Sequence, residues 1–279
     1  MEYLTVADLR TEFGIDLSEL TDAQIQRRCD WLAAGLEGAL GHGFGRAALI
    51  TADSATTVQV TSEALVLAGA VAATYPFASY PTLGELIAGV NEADNGIELA
   101  PLPHVLPTTP TALLRTTGAV ACGPGYDKRQ TLDVSALYLE LTARRESHLF
   151  LPLPIGSVVA VVEEGVTLAT TAYWAGRGDG WLIRKACTCT TPCYHGPGRW
   201  LARYPRNVTV TYAPRGWGHV PGSLRQLLSE AFASASGLTP LSGESFGEYS
   251  YHRKEARVDT WQELLNGATV RQFAVRFQP

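Results

Sequence analysis

Charge is scarce in this chain: 18% of its 279 residues are charged, and the formal net charge is −5. Disorder is excluded, because 46% of the residues are hydrophobic, enough apolar material for a core. The acidic balance also argues against a dedicated nucleic-acid binder, which needs clustered Lys and Arg to neutralise phosphates. A mildly acidic lining around passing DNA stays compatible with it. Long apolar runs are missing too. The longest, Ala64 to Ala73, contains glycine and falls well short of the ~20 residues that a membrane-spanning helix requires. The N-terminus, MEYLTVADLRTEFG, is amphipathic and acidic, whereas a secretion leader is basic and then apolar. The expectation is a protein that is soluble and intracellular when made. Five cysteines is an odd number, for which free thiols in a reducing compartment are the simplest account. No phosphate loop is present either. Gly41, Gly43 and Gly45 lack the G-x-G-x-x-G or Walker spacing, and they end a helix, where carbonyl groups repel phosphate.

The N-terminal part, 1–46, reads as two helices. Thr5 with Asp8 caps a short one carrying Val6, Leu9 and Phe13, closed by Gly14. Thr21 with Gln24 has the spacing of a capping box, and Ile25, Cys29, Leu32, Leu36 and Leu40 form one face of a longer helix. Residues 47–127 read as an insertion of mixed α/β character. Thr82 and Glu85 cap a helix with Leu83, Leu86, Ile87 and Val90, and the proline-rich APLPHVLPTTPTALL follows as an extended connector or edge. The expected element is strand, helix, strand.

Residues 128–213 are strand-rich. Leu132, Val134, Ala136, Tyr138, Leu139 and Leu141 suggest one long strand, and SHLFLPLPIGSVVAVVEEGVTL another. Trp174, the turn GRGDG and Trp181 predict a hairpin. Glu163-Glu164 is expected at a solvated turn. A strand with Val208, Val210 and Tyr212 on one face closes this region at Pro214. The last part, 214–279, holds a turn with Gly216 and Gly218, a helix led by Pro221, and an assembly tail. Leu224, Leu227, Leu228, Ala231, Phe232 and Ala235 make the apolar stripe of that helix, ended by Gly237. The predicted fold class is therefore α+β, a helical bundle of N-terminal helices and C-terminal helix with an inserted strand-rich region.

The order of these signals resembles the head-to-tail connector (adaptor) proteins of long-tailed bacteriophages. The matching residues are Val210, Thr211, Tyr212, Gly216, Trp217, Val220 and Pro221, then Glu244, Ser245, Gly247, Tyr249 and Ser250. Gly45-Arg46 resembles the element ending that family's first helices, and Leu151, Pro152, Pro154, Ile155, Val158 and Val161 its proline-rich strand. About half the chain carries the resemblance; the insertion does not. The resemblance implies a structural virion protein without an active site: a twelve-fold homo-oligomeric ring in the phage neck, made in the host cytoplasm. It would contact the portal protein on one side and stopper or tail proteins on the other, with double-stranded DNA passing through and no membrane involved. Adjacent neck roles, a head-completion stopper or a tail-terminator-like protein, share similar sequences.

Two sets of residues are candidates for function. Cys187, Cys189, Cys193 and His195 supply the ligand types and number of a tetrahedral structural zinc, in an unusual C-x-C-x₃-C-x-H spacing; a loop with free thiols is the alternative, and a metal-binding or thiol-dependent enzyme the rival function. A cysteine nucleophile would need an oriented base, which no local motif supplies. The tail aromatics Phe246, Tyr249, Tyr251, Trp261, Phe273 and Phe277 are the candidate partner contacts, since aromatics contribute strongly to interfaces.

Overall fold

A computed structural model describes residues 2–12, 17–40, 43–102, 104–143, 146–176, 179–185, 198–200, 206–220 and 222–235. The chain begins with α1 (Val6–Thr11) and α2 (Asp22–Leu40), then lays down β1 (Arg46–Ala52), β2 (Thr56–Val60), β3 (Ala64–Gly69) and β4 (Ala73–Pro76). After α3 (Leu83–Glu92) come β5 (Ile97–Pro101), β6 (Val120–Cys122), β7 (Gln130–Asp133) and β8 (Leu137–Leu141). Strands β9 (His148–Phe150), β10 (Ile155–Glu163), β11 (Val166–Thr167), β12 (Tyr173–Gly176), β13 (Trp181–Arg184) and β14 (Val208–Pro214) precede α4 (Gly222–Ala235).

Among the described residues this is a mostly β protein, with 14 strands in four antiparallel sheets against four α-helices. The helical bundle with an inserted strand-rich region is thereby corrected. Helices α1, α2 and α4 do pack on one another through Leu9, Ile25, Leu32, Leu36, Leu224, Leu228 and Phe232, but theirs is only one of three apolar clusters. The bundle reading overweighted the ends of the chain because long capped stripes are strong signals, whereas most strands here are short and broken by Gly and Pro.

The second cluster lies between the sheets β5-β1-β7 and β4-β3-β2-β6, closed by α3. The third lies between β11-β10-β14-β8 and β12-β13-β9. The single strand expected over Leu132–Leu141 is two strands in different sheets: β7 pairs with β1, and β8 pairs with β14. The next long run also divides, at Leu151–Pro154, into β9 and β10. Local chemistry is as expected at the caps. Thr5 and Asp8, and Thr82 and Glu85, each form a reciprocal capping box. The Thr21 N–H donates to the Gln24 side chain at 2.9 Å. Val208, Val210 and Tyr212 are wholly buried in β14, and β12 with β13 makes the expected hairpin.

Candidate functional site

Two features stand out: a sealed polar junction where the helices meet the sheets, and an exposed aromatic face. The junction starts on α2. Beside its apolar stripe runs a second one, Gln26, Asp30, Ala33 and Glu37, at i, i+4, i+7 and i+11, and all four residues are buried. The Gln26 amide donates to the Leu4 carbonyl at 3.2 Å. Asp30 accepts two hydrogen bonds from the Arg129 guanidinium, which also donates to Glu2 at 2.9 and 3.0 Å. Arg46, leading β1, lies 3.6 Å from Asp30 and stacks over the Tyr3 ring at 4.9 Å. Burial opposes the charge on Arg129, yet hydrogen bonds to Asp30 and the nearby Glu2 outweigh it and raise its pKa. The guanidinium is a fixed cation.

Glu37 is fully buried, and its Oε2 faces His104 Nδ1 at 3.4 Å. Burial raises the carboxyl pKa; the Arg46 charge and the Tyr3 hydroxyl pull it partly back. The Tyr3 hydroxyl accepts the Phe44 N–H at 2.9 Å and lies beside Glu37. Gly43 makes room for this group, since a Cβ there would overlap His104 Nε2. The cue in the sequence was the polar stripe 26/30/37 alongside an apolar one. Its partners Arg46, His104 and Arg129 come from distant segments and left no local sign.

Gly45 and Trp217, two of the residues that carry the resemblance, meet at the same junction. Gly45, at φ 119°, approaches Trp217, and the Trp217 indole N–H donates to the Val134 carbonyl at 3.0 Å. The Gly218 N–H donates to the Phe44 carbonyl at 3.1 Å. Both glycines of this turn have positive φ, 75° at Gly216 and 82° at Gly218, a conformation that L side chains resist. Trp217 packs against both β clusters, while Val220, just beyond it, belongs to the helical cluster. The turn therefore joins all three cores.

The exposed face lies on β12-β13-β9. The register pairs Trp181 with Phe150, Ile183 with His148 and Trp174 with Ile183, so these side chains share one side. Leu149, Leu182 and Tyr173 point the other way into the core. Phe150 is 70% exposed and Trp174 39%. His148 stacks on Phe150 at 6.2 Å, and Lys185 lies over the Trp174 ring at 4.9 Å. Gly176 seats the Trp181 ring, which a Cβ at that position would strike. A groove of about 320 Å³ between the end of β8 and β9 borders this face, lined by Leu141, Ala143, Glu146, His148 and Phe150. Further large apolar side chains stand in solvent at Trp31 on α2 and at Val159 and Val166. Val159 is the extra residue at a register shift in β10, and a bulge of this kind turns its side chain outward.

Cys187, Cys189, Cys193 and His195, and Phe246, Tyr249, Tyr251, Trp261, Phe273 and Phe277, are outside the described residues. Among the described residues no group of three or more His, Cys, Asp or Glu is placed to hold a metal. Cys29 and Cys122 are free thiols. Burial and the Asp30 charge push Cys29 up to about 12, and burial raises Cys122, so neither is a ready nucleophile. Glu163 corrects an expectation: it is buried rather than solvated, and accepts from Arg184 Nε at 3.1 Å. The turn itself is at Glu164 and Gly165, with φ 49° and 82°. No family model, curated protein or solved structure matches the chain.

Proposed function

We propose that this protein is a head-to-tail adaptor of a long-tailed bacteriophage, a ring-forming structural subunit between the portal and the stopper or tail. One observation carries the reading: the resembling elements at the two ends of the chain, Gly45-Arg46 and Gly216-Trp217, pack against each other. A shared junction is what a common ancestral frame with an insertion between its halves would leave behind. The exposed aromatic face is further support, because apolar surface gathered on one face marks contact with other proteins. Heterologous packing of one subunit on the next closes a ring of this kind, twelve-fold by the resemblance, with double-stranded DNA crossing its channel.

Negative-stain imaging of the protein mixed with portal rings tests the proposal. A ring stacked on the portal is expected, even if the free protein is a monomer. Absence of both a ring and any portal contact would refute it.

A further inference from the structure

We infer that Glu37 and His104 hold one proton between them, and that this proton fastens the helical unit to the β5-β1-β7 sheet, making their attachment weaken on the alkaline side. None of this depends on the adaptor reading. His104 Nε2 lies 3.0 Å from the Arg46 carbonyl oxygen. A carbonyl can only accept, so Nε2 carries a hydrogen and donates. The other ring nitrogen, Nδ1, then faces Glu37 Oε2 at 3.4 Å, with the two side chains 3% and 0% exposed. An ionised carboxylate opposite an unprotonated Nδ1 would set two lone pairs against each other where water cannot intervene. One proton between them, on either atom, removes the repulsion.

Glu2 and Asp30 are matched by Arg46 and Arg129. The groups that face Glu37 come from each packed element: Tyr3 from the N-terminal segment, Asp30 from α2 itself, Arg46 from β1 and His104 from the segment after β5. Arg46 favours the carboxylate; burial and Asp30 oppose it, with burial the largest influence. The pair spans the boundary between two cores, since Glu37 is on a helix of the first and His104 is bonded to the backbone of a strand of the second.

Proton counting gives the direction with pH. In the unfolded chain a glutamate releases its proton at about pH 4.3 and a histidine at about pH 6.5. Between about pH 4.3 and 6.5 folded and unfolded pairs each carry one proton, and the contribution to stability is intact. Above that range the folded pair still binds one and the unfolded pair none. Stability then falls as pH rises, by up to about tenfold in the unfolding constant per pH unit, until the folded pair itself ionises.

The test compares urea unfolding of the full chain from pH 6 to 8, below the range in which the thiols of the unfolded chain ionise, for wild type, Glu37→Gln and, as a control in another core, Glu163→Gln. The amide that Glu37→Gln introduces can donate an N–H to Nδ1 but cannot titrate, so this variant should lose the alkaline slope that wild type and Glu163→Gln retain. Hydrogen exchange should rise in α1 and α2 ahead of β10 and β14 as wild type is taken from pH 7 to pH 9, after correction for intrinsic rates. An unchanged slope in Glu37→Gln, or a uniform rise in exchange, would overturn the inference. Should that variant fail to fold, NMR of wild type decides: the Glu37 carboxyl carbon and the His104 ring nitrogens together showing that the pair loses its last proton at or below about pH 6.5 also overturns it.

Discussion

Replacing Asp30 by Asn removes one charge from a cluster closed to solvent. The side chains of Arg129 and Asp30 are 2% and 8% exposed, so bulk water can neither screen the pair nor solvate the orphaned guanidinium. Arg129 would keep Glu2, whose side chain is 30% exposed, while Arg46 would lose its nearest carboxylate at 3.6 Å. Breaking a buried pair in this way costs about 3–5 kcal/mol, since the surviving charge is left uncompensated. The remaining Glu2 contact places the expectation near the lower figure, ~3 kcal/mol. With a urea m-value of about 2–3 kcal/mol/M, the midpoint should drop by ~1–1.5 M at unchanged m. The Arg10–Asp22 bridge, with both side chains 48% exposed, is the control, and Asp22→Asn should cost no more than ~1 kcal/mol. The double variant Asp30→Asn with Arg129→Met should recover part of the loss, because it removes the stranded cation as well. Equal costs for Asp30→Asn and Asp22→Asn in urea unfolding, or no recovery in the double variant, would refute the claim that this cluster is sealed.

Gly45→Ala should destabilise by about 1–3 kcal/mol in the same assay, since φ at this residue is 119° and its carbonyl anchors the Val134 N–H at 2.6 Å. Thr82→Ala removes one side of the α3 capping box and should cost ~1 kcal/mol, measured as a lower thermal midpoint. Thiol labelling of the native protein at pH 8 should leave Cys29 and Cys122 unmodified, as read by mass spectrometry after proteolysis; rapid labelling of Cys29 would contradict its burial and its raised pKa of about 12. Phe150→Ser and Trp174→Ser should leave the unfolding midpoint nearly unchanged, within about 0.5 kcal/mol, while weakening any assembly built on that face, as read by mass photometry with the portal.

Features set by neighbours in sequence were legible. The caps at Thr5 and Thr82 need only a residue three positions on, and the alternation Val208, Val210, Tyr212 reports a buried strand face directly. Features set by distant segments were not. Val134 begins the break between β7 and β8 because its N–H donates to Gly45, and nothing around Leu132–Leu141 encodes that. Glu163 looked like a solvated tip since its partner, Arg184, follows three strands later in another sheet.

By itself, the sequence determined the helices with their caps, the apolar stripes that bind α1, α2 and α4 together, the buried face of β14, and the resemblance that suggests a neck protein. These depend on spacing along the chain, which dihedral geometry converts into faces. Tertiary structure alone decided that strands outnumber helices, that Gly45 meets Trp217, and that Asp30 and Glu37 are sealed against Arg129, Arg46 and His104. Such pairings exist only once separate cores have packed and excluded water, and the same exclusion makes those charges matter.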